Sequence, residues 1–188
     1  MDSDLAIGRR LKQFRKARGL TLDTLSASSG VSKAMISRIE RGEASPTATL
    51  LGRLCAALGL GLSAFFADEA APDTPLLRAA DQPVWRDPAS GYLRRNVSPR
   101  LPGFPLEVVE VVFPPGEHVH FDRPWTVRPP HQIVWVLDGR LDLTVGEQTH
   151  RLSTGDCLGL RLDGPTSFHN PGAHPVRYAV FLAAGPVP

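Results

Sequence analysis

Residues 21–42 read TLDTLSASSGVSKAMISRIERG. Thr21 stands where a hydroxyl can accept from the free N–H groups of a helix start. A helix is therefore expected from about Leu22 to Ser29, with Leu25 on its inner side. Gly30 is placed to close it in the left-handed conformation that glycine tolerates. Val31 is expected as a buried turn residue. Ser32 repeats the capping chemistry, and a further helix is expected from about Lys33 to Arg41, stopped by Gly42. Ile36 and Ile39 lie three residues apart and so share one face. With that face turned inward, Lys33, Ala34, Ser37 and Arg38 project outward. Met35 is expected to be half-buried packing.

The helical pattern extends on both sides. Upstream, Leu5, Ile7, Leu11 and Phe14 form an apolar stripe on a helix expected from about Asp4 to Arg18, ended by Gly19. Downstream, Pro46 and the cap Thr47 precede a helix with Leu50, Leu51, Leu54 and Leu58 inside. A last short helix holds Leu62, Phe65 and Phe66. Five helices thus occupy about the first 66 residues.

Composition separates this segment from the rest. Of 18 prolines only Pro46 precedes residue 72. Residues 1–66 carry ten Lys and Arg against five Asp and Glu, whereas the remainder carries eleven against fourteen. A basic module beside a slightly acidic one suggests a polyanion partner for the first alone. The small, acidic, proline-containing stretch 67–75 is the natural linker, giving a helical domain at 1–66 and a second domain at 76–188. No apolar run approaches the roughly 20 residues of a bilayer span, and the charged N-terminus lacks a secretory core. A cytoplasmic location without membrane partners is expected. Cys55 and Cys157 form no paired motif and are expected as free, buried thiols.

Leu25, Gly30, Val31, Ser32, Ile36, Ile39, Glu40, Gly42 and Ser45-Pro46-Thr47 together resemble the phage-repressor-like, or Xre, family of helix-turn-helix regulators. The resemblance implies a lambda-repressor-like domain that binds duplex DNA as a dimer, with the second helix of the pair in the major groove. Lys33 and Arg38 are then placed for guanine edges, Ala34 for a thymine methyl and Ser37 for the same surface. Thr21, Ser32 and Arg41 suit phosphates. Arg15 and Glu40 match a pair that the family uses as an internal salt bridge.

From Leu76 onward short apolar runs alternate with Gly, Pro and Asp turns, the pattern of an antiparallel sandwich or barrel. Trp85–Arg95 is expected to add edge strands. Leu106–Phe113, His131–Gly139 (ending in an Asp-Gly turn) and Arg140–Val145 read as strands, the last two as a hairpin. Further strands are expected in THRL, CLGLRL, SFHN and VRYAVFLA. Val136–Leu141, Leu152-x-x-Gly155-Asp156 and Asn170-Pro171-Gly172 resemble a cupin, which implies a jelly-roll barrel of double-stranded β-helix type. The two-domain order is thus α, then all-β.

Many cupins hold a metal through an H-x-H pair, a Glu and a later His. Here the corresponding positions fall near Thr126 and Arg128, then on Gln132 and Thr166, and a neutral amide is a poor ligand. No metal and no cofactor are expected. His118 and His120 form an H-x-H outside that pattern and are expected as an exposed strand pair. His131 and His169 should face outward. Arg128, Gln132, Val134, Val136, Thr166 and Phe168 remain as a candidate small-molecule pocket, with Trp125 at its mouth. The expected function is therefore a non-enzymatic, sequence-specific transcriptional regulator, a homodimer whose barrel dimerises or senses a small effector. The alternatives are a metal-dependent cupin enzyme with a DNA-binding head, or a constitutive or antitoxin-like DNA-binding protein with a purely structural barrel.

Overall fold

The computed structural model describes residues 3–66, 74–99, 106–122, 131–162 and 164–183. Five helices come first: α1 (Ser3–Ala17), α2 (Leu22–Ser29), α3 (Lys33–Glu40), α4 (Ala48–Ala57) and α5 (Leu62–Phe66). The capping signals are used as expected. The Thr21 hydroxyl accepts from the Thr24 N–H at 3.0 Å, Ser32 from Met35 at 3.2 Å and Thr47 from Leu50 at 3.3 Å. Gly30 closes α2 at φ 70°, its N–H reaching the Ser26 carbonyl. The linker expected at 67–75 lies mostly outside the described residues.

After a 3-10 turn at Ala79–Asp81, ten strands follow among the described residues. They are β1 (Val84–Arg86), β2 (Leu93–Asn96), β3 (Leu106–Phe113), β4 (His118–Phe121), β5 (His131–Asp138), β6 (Arg140–Val145), β7 (Gln148–Ser153), β8 (Cys157–Arg161), β9 (Thr166–His169) and β10 (Val176–Ala183). They form two antiparallel sheets, one ordered β1-β2-β3-β10-β5-β8 and the other β4-β9-β6-β7. Alternation puts Val109, Val111, Val134, Val136, Leu141, Leu143, Val176 and Tyr178 between the layers.

Two expectations need correction. Arg140–Val145 is not the hairpin partner of His131–Asp138. β5 pairs with β10 and β8, whereas β6 pairs with β7 and β9. Gly139, at φ 93°, turns a corner between the sheets, its N–H donated to the Thr154 hydroxyl at 2.9 Å. An added Cβ there would come within 3.1 Å of the Val176 backbone. The local Asp-Gly signal is that of a tight turn, but both strands carry an apolar face, and both faces are buried only when the strands lie in opposing layers. Cys157 is exposed rather than buried. The alternation of β8 turns Leu158 and Leu160 inward and Cys157 out.

The helices and the barrel share one continuous apolar core. Phe66 of α5 packs its ring 5.2 Å from Trp85, Trp85 lies 5.6 Å from Tyr92, and Tyr92 lies 6.0 Å from Phe113. The buried Arg94 guanidinium sits over Phe66 at 5.7 Å. Burial holds Arg94 below its ordinary pKa and pushes the Tyr92 hydroxyl up to about 12. At the other side of the joint, Asp87 accepts from the Ala48 N–H at 2.8 Å, so a barrel carboxylate caps the start of α4. A negative charge there also complements the helix dipole. α4 lies along β4, the terminal strand of the smaller sheet. Thr49 donates to the His120 carbonyl at 2.8 Å and Arg53 pairs with Asp122 at 2.7 Å. A helix in that position covers an otherwise unpaired sheet edge.

Asp87 also accepts from the Ser90 N–H and hydroxyl. Asp87→Ala leaves the buried Ala48 and Ser90 N–H groups without these acceptors and is expected to cost about 2–3 kcal/mol. Urea denaturation of the full chain measures it; a change below about 0.5 kcal/mol would remove Asp87 as a support of the joint.

Candidate nucleic-acid interface

The site is built by what holds α3 from behind. Ile36 and Ile39 are completely buried, together with Leu25 of α2 and Leu11 of α1. At roughly 1.5–3 kcal/mol for each buried isoleucine, rolling α3 to expose them is strongly opposed. α1 crosses α3 at backbone contact: a Cβ on Gly8 would lie 2.2 Å from the Ile39 carbonyl oxygen. Arg15 then fixes the far end of α3. Its Nε and Nη2 donate to Glu40 at 2.6 and 2.8 Å, and its Nη1 to the Leu20 carbonyl at 2.8 Å. The Glu40 hydrogen bond, more than the charge alone, raises the Arg15 pKa. This is the internal pair that the Xre resemblance implies.

The opposite edge of α3 is open. Lys33, Ala34 and Arg38 are exposed, Ser37 is half-buried, and Met35 is half-buried as expected. Thr21, Ser32 and Arg41 are exposed around them. The seven residues stand at the starts of α2 and α3, along α3 and in the turn after it, six of them exposed and Ser37 half-buried. The barrel interface, made by α4 and α5, lies elsewhere on the head.

Two acids on this surface are not evident from the motif. Lys33 Nζ lies 2.9 Å from Asp23, ten residues away in sequence. Arg41 forks onto Glu43 at 2.6 and 2.7 Å and also donates to the Ser37 hydroxyl. These bonds raise the Arg41 pKa and lower that of Glu43. Solvent screens exposed pairs of this kind, and they add little to stability. A polyanion can therefore displace either acid cheaply. Sequence reasoning missed both partners because Asp23 meets Lys33 only through the fold, and Glu43 stands beyond the helix that Arg41 ends.

In the barrel, Gln132, Val134, Val136, Thr166 and Phe168 are all buried. Arg128 and Trp125 lie outside the described residues. Part of the interior is filled by rings. Phe168 stacks on Tyr178 at 6.0 Å across the layers and meets Phe121 edge-on at 6.2 Å. Val136 is the strand partner of Tyr178 and so belongs to that filled part. Gln132 and Thr166 lie farther toward the end where β8 runs into β9, with Leu160 and Leu182 beside Gln132 on the neighbouring strands. Two neutral groups, an amide and a hydroxyl, can hydrogen-bond an organic ligand but do not fit a transition metal.

His131 is exposed and His169 faces outward, 3.8 Å from Asp142 and opposite His118. His118 and His120 are both exposed. Among the described residues no three His, Cys, Asp or Glu side chains converge as a metal site. No helix among them is long and apolar enough to cross a membrane.

Comparison with known proteins gives two family matches: a helix-turn-helix model over residues 11–65 and a cupin-domain model over residues 109–182. The chain is 29% identical over 175 residues to the HTH-type transcriptional regulator PuuR of Escherichia coli K12, covering 92% of this chain and 91% of that one. It is 37% identical over 60 residues to the HTH-type transcriptional regulator y4dJ of Sinorhizobium fredii, covering 32% of this chain and 78% of that one. A crystal structure of an HTH_3 family transcriptional regulator from Vibrio cholerae superposes with a TM-score of 0.80 at 26% identity, covering 99% of this chain and all of that one.

Because no side chain fits between the backbones at Gly8, Gly8→Ala must push α1 and α3 apart or distort both. Overpacking of this kind costs roughly 1–3 kcal/mol. The loss is expected as a lowered unfolding midpoint together with weakened DNA binding; wild-type values for both would show that the close approach does not matter.

Proposed function

The chain belongs to the Xre-type helix-turn-helix transcriptional regulators with a cupin domain, and from that premise we propose that it reads a two-fold operator through the outer edge of α3 while its barrel dimerises and responds to a small effector. The observation that carries the reading is the two-sidedness of α3. Its aliphatic side is sealed against α1 and α2, and on its other edge Lys33, Ala34 and Arg38 are exposed and Ser37 is half-buried.

In the major groove, the ammonium of Lys33 and the guanidinium of Arg38 donate to guanine O6 and N7, and Ala34 meets a thymine methyl. Asp23 releases Lys33 when it does so. The Thr21 and Ser32 hydroxyls already cap their helices, so their phosphate contacts come beside the neighbouring N–H groups. Arg41, turned from Glu43, contributes a phosphate contact that carries no sequence information.

The barrel acts here as a sensor rather than a catalyst. Gln132 and Thr166 replace ionisable ligands with neutral hydrogen-bonding groups, which favours recognition over metal chemistry. The protein works in the cytoplasm, where its DNA lies. An effector that binds differently to two head arrangements shifts the balance between them and so the operator affinity.

Lys33→Ala or Arg38→Ala is expected to cost roughly 1–3 kcal/mol on the preferred operator and to relax discrimination at one position of each half-site. Arg41→Ala is expected to weaken all sequences about equally. Binding titrations on the operator and single-base variants measure both effects; unchanged selectivity in the Lys33 and Arg38 variants would refute base reading. A rise in melting temperature with a candidate metabolite is the expected mark of the effector. If none raises it across a broad panel, the purely structural barrel is the better reading.

A further inference from the structure

The outer face of the smaller sheet carries the H-x-H of β4, which neither the DNA surface nor the barrel interior uses. β4 pairs with β9 so that His118 stands directly opposite His169, and β9 pairs with β6 so that His169 stands opposite Asp142. Arg151 of β7 ends the row. His118 is exposed and His169 half-buried. The two imidazoles are far apart in the chain, and only the strand register brings them side by side.

The kind of pair matters. In an antiparallel ladder, pairs that exchange hydrogen bonds alternate with pairs that do not, and side chains of the second kind stand closer. The Asn170 N–H donates to the Glu117 carbonyl at 3.0 Å, which makes Glu117 and Asn170 a bonded pair. His118 and His169 come one step later and are therefore a non-bonded pair, with Cβ atoms about 4.5–5.5 Å apart. From that separation two imidazole nitrogens can both reach one ion at about 2.0–2.1 Å.

Asp142 supplies what a ligating histidine usually has behind it. His169 Nδ1 lies 3.8 Å from the Asp142 carboxylate. An anion on that side draws the ring proton to Nδ1 and leaves the Nε2 lone pair free for an ion. His118, being exposed, has room to turn its ring toward the same point.

We propose that His118 and His169 together chelate one divalent transition-metal ion, of the zinc, nickel or copper class, on the outside of the barrel. Imidazole suits these ions, whereas Mg²⁺ and Ca²⁺ take oxygen ligands. Water completes the coordination, so the site needs no third converging His, Cys, Asp or Glu, and none converges among the described residues. It is separate from the barrel interior, where Gln132 and Thr166 do not fit a metal. It does not rest on the regulator reading: a chain that failed to select an operator would still hold the ion. The ion joins β4 to β9 and binds only the folded register, so it raises the melting temperature.

The test titrates tag-free full-length protein with zinc chloride by calorimetry near neutral pH. Wild type is expected to bind one Zn²⁺ per chain and to melt at a higher temperature with it, while Mg²⁺ does neither. His118→Asn and His169→Asn are each expected to lower the affinity at least tenfold. His174→Asn, at an exposed imidazole in the loop before β10, is expected to bind as wild type does. Should either variant lose its cooperative melt, wild type carries the test. Zn²⁺ is then expected to protect His118 and His169, and not His174, from modification by diethyl pyrocarbonate, read residue by residue by mass spectrometry. A wild type that binds no Zn²⁺, binding that survives either replacement at full strength, or equal modification of the two imidazoles with and without the ion overturns the proposal.

Discussion

Everything at the candidate DNA surface depends on the burial of Ile36 and Ile39 beneath α1. A helix of eight residues has no stability of its own in water. It is held by its inner side chains, and their position fixes which residues are left to face outward. Gly8 sharpens the constraint, because backbone meets backbone there and leaves no room for the helix to slide. The Arg15–Glu40 fork then sets the rotation at the other end. Base reading needs side chains placed to within hydrogen-bond tolerance, and a doubly anchored helix supplies that.

The second dependence is the joint between head and barrel. Asp87 caps α4 from the barrel, Phe66 and Trp85 continue one ring cluster across the boundary, and α4 closes the edge of β4. The head is thus seated on the barrel rather than tethered to it. β4 and its neighbour β9 carry Phe121, Thr166 and Phe168 to the barrel interior on one side, while β4 meets α4 at its edge. The barrel interior and the head are thus joined by packed side chains and two polar contacts.

Much of this was legible in the chain. Thr21, Ser32, Thr47 and Gly30 are local signals, and each acts where local chemistry says it should. The strand boundaries of β3 and β5 were equally plain, because alternation is read from one segment at a time. What was not legible was relational. Asp138-Gly139 carries a hairpin signal, yet the strands on either side part into different layers because both need burial. Cys157 looked like a core thiol by residue type, but the register of β8 puts it outside. Asp23, Glu43 and Asp87 act on groups brought near only by folding, so no spacing announces them. Of the pocket residues, Phe168 stacks on Tyr178 and Val136 is its strand partner, relations across strands that residue type alone does not announce.

The most direct measurement is dimethyl sulfate protection on an operator enriched from random DNA by the full-length protein. The reagent reports guanine N7 in the major groove and adenine N3 in the minor groove. Expected is protection of guanine N7 in two clusters about one helical turn apart, with adenine N3 left reactive between them. Tight binding that leaves every guanine N7 reactive, or protects only the minor groove, would contradict the placement of α3 against the bases.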